Sequence, residues 1–547
     1  MRQFISYLAS FYLLFCCSCS NDPQQNSYIS IGKPWLILEL DSSKLLVSEV
    51  LRDLEQPFEI TWASDEHLWF TERKGNVYRM NPKTAEKKKV LSISDAYSEG
   101  NTPGLLGMVV HPDFMTEPFV YTHYTYMDSS IVGEFDRKGR PNMIRSRIVR
   151  YRYNQEKDTL ITPEIILANI QGTRSHNGSR LIISSDKKIL FAIGDASDNR
   201  TAQDKFALTG KVLRMNLDGS IPKDNPIPGS YSYSIGHRNQ QGLVEANGKF
   251  YTSEHGPNND DELNLILAAG NYGWPNVEGY CDTESELNFC DTIQVQEPLF
   301  SWTPTIAPAG LDYYNHPSIP EWKNSLLLTT LKGRSLQFFQ LDDSGTKIEE
   351  HKIYLQKQFG RLRDLCVSST GDIYLISSNT DWHIPRYKWM YDNVPADGND
   401  RIIKISAITQ WDDDYNKLQV YGEDTAQIRM FVQDQVDPNV AGASLYQTNC
   451  APCHLPDGKG IAEFTPPLID TKWVSDKVKL IEATLFGLTG EIEVKGALYD
   501  EIMPGFATSL NDKEVVEILN FVLSSLNNYE HSVTEEEVST TRKGQLK

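Results

Sequence analysis

Cys450-Ala-Pro-Cys453-His454 sets two thiols three residues apart, with an imidazole beside the second. Thiols at that spacing can add across the two vinyl groups of a haem, and the adjoining histidine is placed to ligate its iron. A zinc knuckle or a redox dithiol would use the same Cys-x-x-Cys spacing. A structural zinc site needs a second ligand pair, and the only later histidine, His531, stands in a polar tail. Covalent haem is the chemistry the motif supports. The iron also needs a sixth ligand. Met503 is the only methionine after the motif, and its setting, Ile-Met503-Pro-Gly, is a turn that would hold a thioether rigidly. A His454/Met503 pair gives a relatively high reduction potential, which suits an electron acceptor.

The flanking elements fit that role. Residues 437–449 read as a helix entering the motif, with Gly442 and Tyr446 four residues apart on one face. Residues 511–526 read as an amphipathic closing helix. Asn511 caps it, and Val515, Ile518, Leu519 and Val522 recur at helical spacing. Residues 436–528 resemble a class I cytochrome c domain through Cys450, Cys453, His454 and Met503. The tail, 529–547, is polar and expected to be disordered.

Before this domain lie short β-like runs broken by turn signals. Six segments look alike: 67–80, 119–126, 189–195, 249–254, 325–340 and 372–377, their starts 47 to 76 residues apart. Several carry a Gly/Asp turn and then alternating aromatic and β-branched residues, the signal of a hairpin. A blade of about 40–50 residues with insertions would produce this spacing. No long helical period separates the runs, which argues against a doubly wound α/β domain. The fold class expected is mainly β: a six-bladed β-propeller over 45–406, then a small all-α cytochrome c domain. A pair of β-sandwiches is the alternative. Residues 20–44 and 407–435 are expected to be linkers.

Residues 175–195, 210–226, 236–243 and 256–279 closely resemble the soluble glucose/sorbosone dehydrogenase family. The runs GLLGMVVHPDF at 104–114 and GRLRD at 360–364 match it too. The resemblance covers roughly 47–406. It implies a propeller that oxidises a sugar with pyrroloquinoline quinone (PQQ) and Ca2+. It assigns His176 as the base for the hydroxyl proton, Asp195 as its carboxylate partner, and Arg238 as the cation near the quinone carbonyls. Lys332, Arg361 and Arg363 match the cations that bind the cofactor's carboxylates, with Asn239 and Gln241 as hydrogen-bonding neighbours. Arg361 and Arg363, two apart on an expected strand, can point to one face. The Gly256 and Pro257 carbonyls match the ligands of the cofactor's calcium, and Asp261, Glu262 and Tyr272 resemble a second calcium site. Two departures put glucose itself in doubt as substrate. Thr102-Pro103 stands where the glucose enzymes have a glutamine, and the aromatic around 302–308 is shifted by one position.

Net charge is −20 over 547 residues, a poor basis for binding nucleic acid. No apolar run reaches the length of a spanning helix. Arg2, the short apolar stretch 4–15 and the cysteines after it read as a bacterial lipoprotein signal, 1–19. Cys19 is the expected lipidated residue, with Cys17 as the alternative. An ordinary secretory signal is the plainer reading. Either way the chain would be exported to the cell envelope, facing the periplasm or outside, with a lipid anchor as its sole membrane contact. There Cys281 and Cys290 are expected to form a disulfide. The function expected is a quinohaemoprotein that oxidises an aldose or related polyhydroxy aldehyde and passes electrons through haem c to a respiratory acceptor. The rival is a non-catalytic propeller that binds a glycan or a partner protein.

Overall fold

The computed structural model describes residues 32–99, 102–135, 140–257, 259–303, 305–379 and 399–423. In the C-terminal part it describes 442, 445–446, 449–455, 458–460, 465–469, 471–488, 490–499, 503, 505–507, 510–527, 529 and 532–545. The expected export signal, with Cys19, falls outside these residues, as does much of the segment joining the two domains.

Six sheets form a six-bladed propeller. Five are four-stranded and consecutive in sequence, spanning 57–92, 105–171, 180–235, 240–302 and 308–354 (blades 1 to 5). The sixth combines Leu362–Val367, Ile373–Ser377 and Asp400–Ala407 with the N-terminal strand Lys44–Leu54. Leu45 pairs with Ala407 and Leu54 with Asp400, so hydrogen bonds between the two ends of the domain close the ring. The first strands of successive blades neighbour one another around the axis, the sixth against the first.

Each interface between blades carries its own apolar cluster. Ile189, Phe191 and Ile193 of blade 3 pack toward blade 2 with Tyr121 and Ile148. Leu190 and Ala192 of the same strand pack toward blade 4 with Leu243 and Ile266. Alternate side chains of a strand point to opposite faces, and here both faces are buried. The six runs singled out in the sequence each overlap the second strand of one blade: Leu68–Glu72, Phe119–Met127, Lys188–Ile193, Lys249–Glu254, Ser325–Thr330 and Ile373–Ser377.

Three expected irregular segments are partly ordered. Within 20–44, Lys33–Glu39 is a strand on Lys44–Leu54. Within 407–435, Gln419–Tyr421 pairs in parallel with it, Leu36 opposite Gln419. These strands widen the sixth sheet because Leu36, Ile37 and Leu38 alternate into apolar neighbours on both sides. The tail contains the helix Glu535–Gln545; its Val538, and Val533 just before it, are buried in the cytochrome core.

In that core the closing helix Asp512–Asn520 is capped by Asn511 and continues as a π-type turn, Phe521–Leu526. Val515, Ile518, Leu519 and Val522 are all buried in it. Among the described residues no helix is long and apolar enough to cross a membrane.

Candidate active site

In an antiparallel four-stranded blade, the turn between its second and third strands opens on the same face as the connection to the next blade. The expected site residues of the propeller lie at or beside such turns. His176 lies between blades 2 and 3, Asp195 follows the second strand of blade 3, and Arg238 lies between blades 3 and 4. Gly256 and Pro257 follow the second strand of blade 4, and Lys332 that of blade 5. Arg361 precedes blade 6 and Arg363 opens it. Residues far apart in sequence therefore meet at one mouth.

His176 and Asp195 form the pair the sequence implied. The His176 Nδ1–H donates to Asp195 Oδ1 at 2.9 Å. Asp195 is fully buried and also accepts from Ser197 N at 2.7 Å and Trp274 Nε1 at 2.9 Å. Three donors on one carboxylate fix the imidazole tautomer and leave Nε2 as an acceptor. His176 adopts φ 56°, a left-handed conformation uncommon for a residue with a Cβ. Glycines on both sides permit this close approach. Gly178 has φ 59°, and a Cβ at Gly194 would collide with the His176 carbonyl. Thr102 also meets this loop: its hydroxyl donates to Arg174 O at 3.1 Å and accepts from Asn177 Nδ2 at 2.9 Å.

Trp274 is the functional residue that sequence reasoning missed. The long connection between the third and fourth strands of blade 4 returns along blade 3, with Tyr272 N bonded to Ile235 O and Trp274 N to Gly236 O. It carries the indole to Asp195, and the Arg238 guanidinium lies over the same ring, 5.4 Å from its centroid. Nothing in local spacing marks this arrangement, although Trp274 stands inside the matched run 256–279.

Arg238 Nη1 donates to His255 O at 2.9 Å. Its buried Nε has no acceptor among the described residues. Burial pulls the guanidinium below its ordinary value, against the nearby Asp195 and Asp261. Behind it, the buried Glu254 carboxylate accepts from Arg238 N, from Asn239 N at 3.3 Å and from His237 Nδ1 at 2.9 Å. Asn239 Oδ1 accepts from Gln241 Nε2 at 3.2 Å, and Gln241 Oε1 accepts from Arg363 Nη1 at 3.1 Å. Lys332 Nζ donates to Thr305 Oγ1 at 2.9 Å. Arg361 is buried and donates from Nε to Ser378 O at 3.2 Å. The strand expected to hold both arginines begins only at Leu362, so Arg361 belongs to the preceding turn. Cations from several blades and an unsatisfied guanidinium N–H fit a rigid ligand carrying carboxylates.

The three residues of the expected second calcium set, Asp261, Glu262 and Tyr272, engage different neighbours. Asp261 turns away, clamping Gly256 N at 2.9 Å, Ile306 N at 2.6 Å and Ala307 N at 2.7 Å. Three amides claim its two oxygens. The Tyr272 hydroxyl is taken by Leu265 O and Leu267 N. Glu262 and Tyr272 line one small cavity with Glu254, Asp260 and Glu278, beside Gly256 and Pro257. Burial pushes Glu254 up to about 8 and Glu278 to about 7, and holds Glu262 well above the ordinary carboxylate range. Among the described residues no three such side chains converge as a metal cage. Carbonyl ligands from Gly256 and Pro257 remain compatible with a hard cation.

In the C-terminal domain His454 is buried, and its Nδ1–H donates to Pro466 O at 2.9 Å. Nε2 is left as the ligating nitrogen, the usual arrangement of a metal-bound histidine. Cys450 is half-buried, and the Cys453 side chain falls outside the described residues. Met503 is held by a two-way backbone bridge with Leu488. These donors fit a haem. Cys281 and Cys290 are joined by a disulfide, their Cα atoms 6.6 Å apart. Trp302 is buried in a core cluster.

A family model described as glucose/sorbosone dehydrogenase matches residues 54–386, and one described as cytochrome c matches 440–525. The chain is similar to quinoprotein glucose dehydrogenase B of Acinetobacter calcoaceticus. Identity is 32% over 417 residues, covering 62% of this chain and 86% of the relative. The solved PQQ-bound aldose sugar dehydrogenase of Streptomyces coelicolor superposes with a TM-score of 0.54 at 27% identity, covering 67% of this chain and 99% of that one. The C-terminal domain is similar to cytochrome c-552 of Thermus thermophilus, 37% identical over 89 residues, 15% of this chain and 66% of that protein.

Proposed function

Because this chain belongs to the glucose/sorbosone dehydrogenase family and carries a cytochrome c domain, we propose that it is a PQQ-dependent sugar oxidoreductase with its own electron acceptor. The substrate is an aldose or related polyhydroxy aldehyde. The observation that carries this reading is the His176–Asp195 pair, with Asp195 tied through Trp274 to Arg238.

His176 Nε2 takes the proton of the sugar hydroxyl, and Asp195 stabilises the imidazolium that results. When bound, the quinone supplies a hydride acceptor at the mouth, and calcium on the Gly256 and Pro257 carbonyls would polarise it. Arg238 stabilises negative charge developing on an oxygen beside it. Lys332, Arg361 and Arg363 hold carboxylates and so orient the ligand. His454 and Met503 would hold the haem iron of the tethered cytochrome, and the tether raises its effective concentration as electron acceptor. From there electrons would pass to a respiratory acceptor.

The envelope location belongs to the same proposal. The Cys281–Cys290 disulfide supports an oxidising compartment, and Cys19 is the proposed lipidation site. Fatty-acid labelling lost in Cys19→Ala checks the anchor. For the activity, a panel of aldoses is mixed with protein loaded with PQQ and Ca2+, and haem reduction is followed. Reduction by at least one sugar is expected. Silence across the panel, with haem still reducible by dithionite, would favour the non-catalytic reading.

A further inference from the structure

We propose that the C-terminal helix Glu535–Gln545 is a clasp that keeps Met503 in ligating position through Arg542. The inference rests on the assignment of Met503 as the sixth haem ligand. The helix lies beyond residues 440–525, the part matched as cytochrome c.

The chain between Met503 and the helix Asp512–Asn520 is gripped from two sides. On one side Met503 and Leu488 exchange backbone hydrogen bonds of 3.0 Å, while Phe506 N and Ala507 N donate to Thr484 O and Leu485 O at 2.9 Å. On the other side a single guanidinium does the work. Arg542 Nη1 donates to Ala507 O, Nη2 to Leu510 O at 2.9 Å, and Nε to Asp512 Oδ1 at 2.7 Å. Three donors on one rigid plane, on a group that stays charged, fix the relative positions of three acceptors.

The clasp is itself anchored. Val533 and Val538 are buried in the domain core. Asn520 Nδ2 donates to Val533 O at 3.0 Å, and Asn520 Oδ1 accepts from Val533 N at 2.7 Å. Lys477 Nζ lies 2.7 Å from Glu537 Oε1. Strain on the helix is thus borne by the two helices beneath it, and Arg542 transmits that rigidity to the loop that carries Met503. A thioether is a weak ligand, so its hold on iron depends on how firmly the chain presents it. Supports one step behind a ligand typically change metal affinity 10–100-fold.

The test uses full-length holo-protein with Arg542→Gln, Arg542→Lys and, as a control on the anchor alone, Glu537→Gln. Two readouts report the iron–sulfur bond: the methionine-to-iron charge-transfer band through an alkaline titration, and the rate of cyanide binding to ferric haem. Covalent haem content shows that each variant has folded. Arg542→Gln should bind cyanide about tenfold faster and lose the band at a lower pH. Arg542→Lys, which keeps the charge on one donor nitrogen, should fall between, and Glu537→Gln, which loosens the anchor but leaves the Arg542 contacts, should move both readouts in the same direction by less than Arg542→Gln. If Arg542→Gln melts earlier but keeps wild-type values for both readouts, the clasp is merely structural and the proposal fails. A wild type with no such band removes Met503 as ligand, and the clasp with it.

Discussion

Trp274 joins two halves of the propeller site: its Nε1–H donates to Asp195 Oδ2 at 2.9 Å while its ring lies under the Arg238 guanidinium, 5.4 Å away. Trp274 is a positioning residue, acting on the substrate only through these two. Trp274→Phe keeps a ring beneath Arg238 and removes the donor. The carboxylate then becomes more basic, the imidazolium of His176 is held more tightly, and neutral base appears only at higher pH. A hydrogen bond to a charged group is worth about 1.5–3 kcal/mol, part of which is felt in the transition state. We expect kcat to fall about tenfold, KM to change little, and the acid limb of the pH profile to move upward. An unchanged profile would contradict this role.

Calcium removal should separate binding from protein fold. Protein stripped with a chelator should recover sugar-dependent dye reduction only when PQQ and Ca2+ are added together, because the Gly256 and Pro257 carbonyls hold the ion beside the cofactor. Recovery with PQQ alone in metal-free buffer would exclude the calcium ligands proposed.

Met503→Ala should abolish the charge-transfer band and lower the haem potential while leaving covalent attachment through Cys450 and Cys453 intact. Loss of the thioether removes the ligand that raises the potential. A band that survives the substitution shows that another group ligates the iron.

On the propeller axis Arg180 binds Glu59 and Asp364 at once, the latter at 2.8 Å, and donates to Gln241 O at 3.1 Å. These groups come from blades 1, 3, 4 and 6, and all are buried. Arg180→Met would strand two carboxylates without their cation. The propeller should lose about 3–5 kcal/mol, read as an earlier denaturant midpoint by circular dichroism. A loss below about 1 kcal/mol would mean that the carboxyls simply protonate at little cost.

The second strand of each blade was legible because both its faces are buried, which makes runs such as Ile189 to Ile193 continuously apolar. Outer strands were not. Lys87–Ser92 reads KKKVLS and buries one residue, so its pattern is that of a solvated loop. The ring closure by Lys44–Leu54 and the added strand Lys33–Glu39 depend on pairing across the whole domain, which no local period reveals. The tail helix hides for a similar reason: within its charged stretch Val538 is the apolar residue that reaches the core, with Val533 just ahead of it. His176 and Asp195 were legible through the resemblance and meet as implied. Asp261 and Glu262, adjacent on one strand, point to opposite faces, and two of the amides that claim the Asp261 carboxylate, Ile306 and Ala307, lie far off in sequence, so no local pattern reveals that contact.

The central claim is that His176 is the base for sugar oxidation. The most direct measurement is stopped-flow reduction of the PQQ- and calcium-loaded protein by an accepted sugar, comparing wild type with His176→Ala. General base catalysis is worth about 10²–10⁴-fold, so the variant should lose about 3–5 kcal/mol of transition-state stabilisation. The loss should fall on kcat more than on KM, with PQQ still bound and haem still reducible by dithionite. A His176→Ala rate within a few-fold of wild type would contradict the account.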